Sequence, residues 1–353
     1  MRYKLGEVAK IRYGKDHKKL DDGNIPVYGS GGIMRYVDTA LYDKKSVLIP
    51  RKGSLGNLFF ANKPFWTVDT LFYTEIDENI LMPEFLFYKL KMFNLASMNV
   101  GSAVPSLTTA ILNALELDIP SFEVQSQIVN ILKAFDESIS LNKQINHHLL
   151  EQARLLYKNL ISSNDTKYQN LSDIARITMG QSPKGETYND DKIGLPLLNG
   201  ATDFRNSISP SKWTSDPRKI ARPGEYVFGV RATIGLTTKI FKEYAIGRGT
   251  GSAKPISNIF DEYLFFALED LFDYYANLGS GTVYINISKS DFDSFKVILP
   301  IKDQFLVDFH KTVQPLFNLI FNNNAEIQKL SELRDCLLPK LLPGEISINQ
   351  ATK

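Results

Sequence analysis

The sequence predicts an α+β protein: two similar mixed α/β domains separated by two long antiparallel coiled-coil helices, related by a pseudo-two-fold internal repeat. Three observations lead to this prediction. The chain repeats itself, each copy begins with short strand-like runs, and each copy ends in a long heptad pattern. A chain of 353 residues, 43% of them hydrophobic, is also too long for one core and suits two domains.

The repeat is clearest at the start of each copy. Residues 4–14 read KLGEVAKIRYG and residues 170–180 read NLSDIARITMG, which aligns Gly14 with Gly180. The match continues at a drifting offset in four further pairs of segments: 47–51 with 227–231, 84–87 with 262–265, 101–102 with 279–280, and 117–120 with 297–300. A period of about 180 residues is far longer than a solenoid unit, so the chain contains two copies of one large module.

The first part of each module alternates polar residues with β-branched and aromatic ones, and turns rich in Gly, Asn, Asp and Pro separate the runs. This pattern predicts short strands. The clearest predicted strands are 46–49, 58–61, 225–230 and 237–241. Segments 83–93 and 261–272 have the spacing of short amphipathic helices.

The second part of each module carries seam residues at alternating spacings of four and three. In the first copy these are Ile128, Leu132, Phe135, Ile139, Asn142, Asn146, Leu149, Ala153, Leu156 and Leu160. In the second they are Phe309, Val313, Leu316, Ile320, Asn323, Ile327, Leu330, Arg334, Leu337 and Leu341, each offset by 181 residues (128 to 309). The spacing places one apolar seam against a partner helix, so two rods of roughly 60 Å are expected to pack on each other.

Two positions in these rods are unusual. Asn142 and Asn323 occupy the same seam position, where a buried Asn fixes register; the alternatives are a locally wet seam or contact with a third protein. Pro315 lies inside the second heptad pattern and removes a backbone donor, which predicts a kink or a late helix start.

Composition narrows the class of protein. Cys336 is the one cysteine, so an internal disulfide is excluded, and we expect a buried thiol on a helix in a reducing, cytoplasmic compartment. No run reaches the roughly 18 apolar residues of a membrane span, and the N-terminus lacks a secretion signal, so neither export nor membrane insertion is expected. A net charge of +2 neither demands nor excludes a nucleic-acid ligand.

Four motifs, taken in order and spread over residues 3–348, resemble one known family. They are Tyr28-Gly-Ser-Gly-Gly-Ile33 after Ile25-Pro-Val27; Gly180-Gln-Ser-Pro183 with Gly185, Tyr188-Asn189 and Gly200; Pro120 to Gln125 with Ile128 and Val129; and Leu337 to Leu342 with Gly344-Glu-Ile346. The set is similar to the specificity subunits of type I restriction–modification systems. One departure is that Gln304 follows Pro300 one residue sooner than Gln125 follows Pro120.

The resemblance implies a division of the chain and a function. It implies a first target-recognition domain at 1–121, a spacer helix at 122–161, a linker at 162–170, a second recognition domain at 171–301, a spacer helix at 302–342 and a tail at 343–353. Each domain would read one half of a bipartite, asymmetric site in double-stranded DNA. The helices would dock two methyltransferase subunits, with restriction/translocase subunits in the full complex. No cofactor is expected on this chain, and S-adenosylmethionine is expected on the methyltransferase.

A reading surface combines contacts to phosphates with contacts to base edges, so cationic and amide side chains on loops are the candidates. In the first domain we select Lys15, Lys18, Lys19, Tyr28, Ser30, Arg35, Arg51 and Lys52. In the second we select Gln181, Lys184, Asn199, Arg205, Arg231, Arg248 and Thr250. Arg51 and Arg231 occupy the same place in both repeats, after a predicted strand; the alternative for each is a solvated loop charge or a structural ion pair.

Motifs of catalysis are missing from the sequence. It contains no Gly-x-x-x-x-Gly-Lys phosphate loop, no Asn-Pro-Pro-Tyr-like tetrapeptide and no Gly-x-Ser-x-Gly elbow. The four histidines, His17, His147, His148 and His310, are not at zinc-binding spacing. We therefore expect a non-catalytic subunit. The alternatives are a scaffold with two α/β interaction domains and a diverged DNA methyltransferase.

Overall fold

The computed structural model describes residues 1–99, 105–205, 208–231, 234–278 and 287–342. These form two compact units, and the boundary between the units cuts both long helices. Unit 1 combines Met1–Ile139 with the C-terminal part of the chain from Lys329, and unit 2 is Ser140–Gln328. The predicted repeat of 101–102 with 279–280, the Gly344-Glu-Ile346 motif and the tail at 343–353 lie outside the described residues.

The elements of unit 1 alternate short strands with short helices before the first long helix begins. They are β1 Arg2–Lys4, α1 Leu5–Val8, β2 Ala9–Tyr13, β3 Asp22–Gly29, β4 Gly32–Val37, β5 Ser46–Pro50, β6 Phe59–Ala61, β7 Trp66–Thr67, β8 Leu71–Ile76, α2 Pro83–Lys91, α3 Thr109–Asn113, β9 Glu116–Asp118 and the start of α4, Phe122–Ser162. Within the described residues, they form sheets of order β1-β9, β2-β8-β5-β6 and β4-β3-β7.

Unit 2 begins within α4 and continues through a second set of strands. The further elements are β10 Thr166–Asn170, β11 Ala175–Met179, β12 Tyr188–Asn189, β13 Leu195–Leu198, β14 Lys212–Thr214, β15 Ile220–Ala221, β16 Tyr226–Val230, β17 Ile234–Lys239, β18 Tyr244–Ile246, β19 Thr250–Pro255, α5 Asp261–Leu278, α6 Lys289–Ser294, β20 Lys296–Pro300 and α7 Asp303–Leu341. In the described part of this unit, the sheets have the orders β10-β20, β11-β19-β16-β17 and β12-β14-β13-β18-β15.

The strand orders confirm the internal repeat. The sheet β2-β8-β5-β6 of unit 1 and the sheet β11-β19-β16-β17 of unit 2 have the same connectivity and the same antiparallel pairing. Each unit also pairs its first strand with the strand that precedes its long helix, β1 with β9 and β10 with β20. We call the two equivalent sheets the framework sheets. The remaining sheet differs between the units.

The aligned glycines have the same structural reason in both copies. Gly14 follows β2, and its N–H donates to Leu71 O at 3.1 Å; Gly180 follows β11, and its N–H donates to Thr250 O at 2.9 Å. A Cβ atom at Gly14 would lie 2.0 Å from Val68 O, and one at Gly180 would lie 2.1 Å from Gly247 O. Only glycine permits this backbone approach at the end of the strand.

The core of unit 1 lies between its framework sheet and the helices. Phe72 of the sheet and Phe85 of α2 are fully buried in one cluster, which also includes Leu132 of α4 and Leu341 of α7. Burying side chains of this size contributes roughly 1.5–3 kcal/mol each. The long helices are therefore part of the core rather than appendages.

Gln125 anchors the first turn of α4 in unit 1. Its buried amide accepts from Met82 N at 2.9 Å and donates to Ile80 O at 2.9 Å and Pro120 O at 3.1 Å. Gln304, the residue that the sequence comparison aligned with it, is exposed and donates to Asp308 Oδ1 instead. The one-residue difference after the prolines thus separates a buried anchor from a surface glutamine.

All the predicted seam residues are buried or half-buried. The buried ones are Ile128, Leu132, Ile139, Ala153, Leu160, Phe309, Val313 and Leu341. The half-buried ones are Phe135, Asn142, Asn146, Leu149, Leu156, Leu316, Ile320, Asn323, Ile327, Leu330, Arg334 and Leu337. Because residue numbers rise along α4 as those of their partners fall along α7, the two helices pair antiparallel within each unit. This confirms the predicted pairing of long helices.

The seam asparagines of unit 2 are bonded across the helix pair, but not to each other. Asn323 Nδ2 donates to Asn146 Oδ1 at 2.8 Å, and Asn146 Nδ2 donates to Asn324 Oδ1 at 2.9 Å. Asn142 Nδ2 donates to Glu326 Oε2 at 3.2 Å. Each amide therefore has a partner on the facing helix, which favours a role in register over a locally wet seam.

The structure differs from the predictions at two positions of α7. The late helix start predicted from Pro315 is wrong, because the helix begins at Asp303 and continues through the proline; the alternative, a kink, stays a prediction. Lys311, whose carbonyl loses its partner to the proline, is exposed, so water can satisfy that carbonyl. Cys336 is exposed rather than buried, since it lies outside the seam that Leu337 and Leu341 occupy. The second amphipathic segment is also longer than expected, because α5 continues to Leu278.

Candidate nucleic-acid interface

In unit 1, the segment 66–70 that precedes β8 collects three loops at one end of the framework sheet. Lys15 N donates to Thr67 O at 2.8 Å, and Trp66 Nε1 donates to Lys15 O at 2.9 Å. Val68 N donates to Tyr28 O at 3.0 Å. We call this segment the hub of unit 1, because its backbone fixes the loops that follow β2, β3 and β5.

The hub also orients Arg51. Its backbone N–H donates to Thr70 O at 2.8 Å, and its Nη1 donates to Asp69 O at 3.2 Å. The guanidinium carbon lies 5.3 Å from the ring centroid of Tyr13, a cation–π distance. Arg51 is half-buried by these contacts, so its cationic group is held in place before any ligand arrives.

Ser30 and Lys52 lie beside Arg51. Asn57 Nδ2 donates to Ser30 O at 3.1 Å, which joins the β3–β4 turn to the loop after β5. Lys52 is exposed, and its backbone forms an isolated bridge with Ser106. Four of the predicted residues of unit 1 (Lys15, Ser30, Arg51 and Lys52) thus present polar or cationic groups at one surface.

Three further predicted residues of unit 1 lie on the loop after β2 and on β4. Lys18 and Lys19 are exposed on the loop after β2, where the Lys18 N–H lowers the pKa of Asp16 by donating to its carboxylate at 3.1 Å. Arg35 forms an ion pair with Asp22 at 2.6 Å. This is the structural role that competes with DNA contact.

Tyr28, another predicted residue, is half-buried and packs within unit 1. Its ring packs against Phe59 and Phe65 at 5.9 and 6.4 Å between centroids, and burial raises the pKa of its hydroxyl. Alternation along β3 did not reveal which side of the strand faces this aromatic cluster. The ring therefore belongs to the packing of the hub, while its backbone carbonyl accepts from Val68 N.

Unit 2 has an equivalent hub in the segment 246–250, which leads into β19. Gln181 N donates to Ile246 O at 3.0 Å, and Val230 N donates to Gly249 O at 3.1 Å. Gly247 N donates to Leu198 O at 2.8 Å. The hub thereby brings together four of the predicted residues, all exposed: Gln181, Asn199, Arg231 and Arg248.

Asn199 is packed tightly against the hub of unit 2. A Cβ atom at Gly247 would lie 2.1 Å from Asn199 Oδ1, so glycine is required for this approach. The carboxylate of Asp203 accepts from Asn199 N at 2.7 Å and from Gly200 N at 3.2 Å. The loop after β13 is therefore held by backbone bonds that leave the Asn199 side chain at the surface.

Three predicted residues of unit 2 have other surroundings. Thr250 is fully buried at 0% exposure, so it is not a surface contact; its neighbour Arg248 carries the charge of this segment. Lys184 is exposed and lies 3.8 Å from Glu186. Arg205 is exposed after the turn at Ala201–Asp203.

Tyr13, Asn57 and Asp203 support the hubs but were not among the residues predicted from the sequence. Tyr13 is 52% exposed, and its ring lies against the Arg51 guanidinium. Its position directly before the repeated Gly14 is a sequence signal that could have identified it. Asn57 donates to a backbone carbonyl of another loop, whereas Asp203 accepts from backbone N–H groups of its own loop. The Asn199-to-Asp203 spacing is a local turn signal that could have identified Asp203, whereas nothing local links Asn57 to Ser30.

The chemistry available at both hubs is hydrogen bonding and positive charge. Within the ranges that the structure describes, no group of His, Cys, Asp or Glu side chains is arranged to hold a metal ion. In the same part of the chain, no helix is both long and apolar enough to cross a membrane. Two copies of one framework, each with a surface of cations and amides, define a duplicated binding protein.

The chain belongs to the family of type I restriction modification DNA specificity domains, whose model matches residues 1–151 and 164–332. It is 26% identical over 349 residues to the type I restriction enzyme MjaIX specificity subunit of Methanocaldococcus jannaschii, covering 88% of this chain and 79% of that protein. It is 24% identical over 390 residues to the HindI specificity subunit of Haemophilus influenzae, covering 84% and 85%.

A solved structure shares the fold. The S subunit of a type I restriction–modification system from M. genitalium superimposes with a TM-score of 0.63 at 17% identity, covering 97% of this chain and 96% of that one. The resemblance found in the motifs is thus confirmed at the level of the family and of the fold.

Proposed function

We propose that this chain is the specificity subunit of a type I restriction–modification complex and that each unit reads one half of a bipartite, asymmetric DNA site. The observation that carries the proposal is the hub. The same backbone arrangement occurs in both units, yet it presents Arg51, Lys52 and Ser30 in one and Gln181, Asn199 and Arg231 in the other. Equivalent frameworks with different side chains suit two different half-sites.

Catalysis belongs to the partners in this proposal. The two relatives described above, from Methanocaldococcus jannaschii and Haemophilus influenzae, are specificity subunits, and the hubs offer donors and cations rather than an acid–base pair. The two long helices would dock methyltransferase subunits that bind S-adenosylmethionine, and restriction/translocase subunits would complete the complex. The lone, exposed Cys336 suits a reducing compartment, which favours the cytoplasm.

We expect the isolated chain to bind duplex DNA with an affinity that falls linearly on a log–log plot as salt rises. Each phosphate that a Lys or Arg neutralises contributes a slope of about 0.9, because counterions are released on binding. Fluorescence anisotropy with labelled duplex between low and physiological salt measures this slope. A protein-binding scaffold would show no DNA binding at any salt, and tight binding of S-adenosylmethionine to the chain alone would favour a diverged methyltransferase.

The paired helices are proposed to set the length of the unread DNA between the half-sites. One heptad inserted beside Asn142 in α4 and one beside Glu326 in α7, which contact each other, should preserve the seam. Each insertion adds about 10.5 Å of helix, which corresponds to about three base pairs. Methylome sequencing should then report a longer spacer. A heptad inserted in α4 alone is the control, since it breaks the pairing of the two helices. An unchanged spacer in the double insertion would contradict the proposal that the helix pair sets the spacer length.

A further inference from the structure

The β3–β4 hairpin of unit 1 carries three large apolar side chains into solvent. Ile33, Met34 and Tyr36 are 50%, 60% and 50% exposed, and all three lie on β4. Among the described residues, β4 is an edge strand of the sheet β4-β3-β7. Apolar residues exposed singly are ordinary, but a cluster on one edge strand marks an interaction surface.

The fold does not need these side chains for its own core. The same hairpin buries Val27 and Val37 completely, and these residues pack with Trp66 and Val68. Arg35, between Met34 and Tyr36, donates to Leu20 O at 3.2 Å and pairs with Asp22. The buried valines and Arg35 thus hold the hairpin to unit 1, while the three exposed apolar side chains are available to contact a partner.

The tip of the hairpin is held in one conformation. Gly29 pairs with Gly32 across a tight turn, and Gly32 has a φ of 119°, in the region that favours glycine. Met34 is the extra residue of a bulge between the Val27–Arg35 and Tyr28–Ile33 pairs. Bulges re-aim side chains.

The side chain of Met34 lies against Gly29. A Cβ atom at Gly29 would lie 2.5 Å from Met34 Sδ, so the sulfur occupies the space that a larger residue would fill. Ser30 is tied to Asn57 by a hydrogen bond of 3.1 Å. The contact of Met34 with Gly29 and the hydrogen bond at Ser30 therefore hold the apolar tip in a fixed position at the surface.

Cations flank this tip. A Cβ atom at Gly53 would lie 3.0 Å from Ser30 Oγ, so the loop that carries Arg51 and Lys52 abuts the turn. Apolar side chains next to cations are complementary to duplex DNA, because the apolar groups can contact the stacked bases while the cations contact the flanking phosphates. Ile and Met are among the side chains that wedge between base steps and bend DNA.

We propose that Ile33 and Met34 form a wedge that inserts between base pairs of the half-site bound by unit 1 and bends the duplex there. This inference rests on the proposed function. Unit 2 lacks an equivalent among its described residues: the edge strands β12 and β15 of its five-stranded sheet carry no exposed apolar side chain, and its exposed Ile193 stands singly before β13. The bend is therefore expected at one half-site only.

The test uses the full chain and a duplex that carries its methylome-defined site, with 2-aminopurine placed in turn at steps of each half-site and dyes at both ends. We expect 2-aminopurine fluorescence to rise at one half-site and energy transfer to report a bend. Replacing both Ile33 and Met34 with Ser should abolish both signals and weaken binding about tenfold, with an unchanged salt slope. Lys52→Ala should instead lower that slope by about 0.9.

Tyr36→Ser, on the same strand but farther from the tip, is the matched control and should keep both signals. Because Ile33 and Met34 are exposed, their replacement should leave the thermal unfolding midpoint unchanged, which separates loss of the wedge from loss of the fold. Salt-dependent binding without a rise in fluorescence would overturn the wedge and leave the proposed function intact. A double variant that keeps both DNA signals but loses methyltransferase binding would assign the surface to protein and also overturn it.

Discussion

Replacing Arg51 with Ala is expected to weaken binding at one half-site by about 1–3 kcal/mol, roughly 5- to 150-fold, and to leave the other half-site unaffected. The hydrogen bond to Asp69 O and the contact with the Tyr13 ring hold this guanidinium in one orientation. A contact with a base or phosphate therefore costs little side-chain entropy. Competition binding with duplexes altered in one half-site measures the effect.

The repeat provides a reciprocal variant for this experiment. Arg231→Ala should affect only the half-site that Arg51→Ala spares, because Arg231 is an exposed cation that directly follows β16 at the hub of unit 2. In the strand register Arg231 aligns with Lys52, and the counterpart of Arg51 is Val230, whose N–H donates to Gly249 O as that of Arg51 donates to Thr70 O. Arg2→Ala removes an exposed arginine of unit 1 that pairs with Asp118, away from the hub, and should change little. Equal losses at both half-sites, or none from either variant, would count against these arginines as readers.

Replacing Arg334 with Ala is expected to destabilise unit 1 by about 2 kcal/mol. Arg334 of α7 donates from Nη1 to Asp136 of α4 at 2.6 Å, and Tyr88 of α2 donates to the other oxygen of the same carboxylate at 2.7 Å. Arg334 is 19% exposed and Asp136 is 30% exposed, so solvent screens the pair only partly. Removing the guanidinium leaves Asp136 with a single partner in this network.

Urea unfolding followed by circular dichroism measures this loss as a lower midpoint. Lys133→Ala is the matched control, since Lys133 pairs with Glu137 on the same helix at 3.4 Å with both side chains exposed, and such pairs contribute about 0.5 kcal/mol or less. If both variants lowered stability equally, the Arg334 network would have no special role. The aligned positions in unit 2 are Ala153, Phe266 and Phe317, with the two rings 5.9 Å apart, so the same place is apolar there.

The long helices and the repeat could be predicted because their signals are local and periodic. The seam from Ile128 to Leu341 follows from spacing alone, and burial agrees at every position that was assigned. The spacing does not indicate whether a helix residue outside the seam is buried, so the prediction of a buried Cys336 was wrong.

The hubs could not be predicted, because they depend on backbone bonds between distant segments. Nothing near Arg51 indicates that its N–H meets Thr70 O, or that Gln181 N meets Ile246 O. The predicted equivalence of Arg51 and Arg231 is wrong by one residue: each arginine directly follows its strand, but the strand register aligns Arg51 with Val230 and Lys52 with Arg231. It could not show that Thr250 turns inward or that Tyr28 packs against Phe59, since residue type alone suits either side of a strand.

The unequal second sheets bear on how such a protein diverges after gene duplication. In the described residues, the framework sheets keep one strand order, while the companion sheet has three strands in unit 1 and five in unit 2. Strands added or lost at that sheet leave the backbone bonds of the framework untouched. Each half can therefore acquire new recognition loops independently, and a change in one half-site need not disturb the ancestral scaffold or the other half.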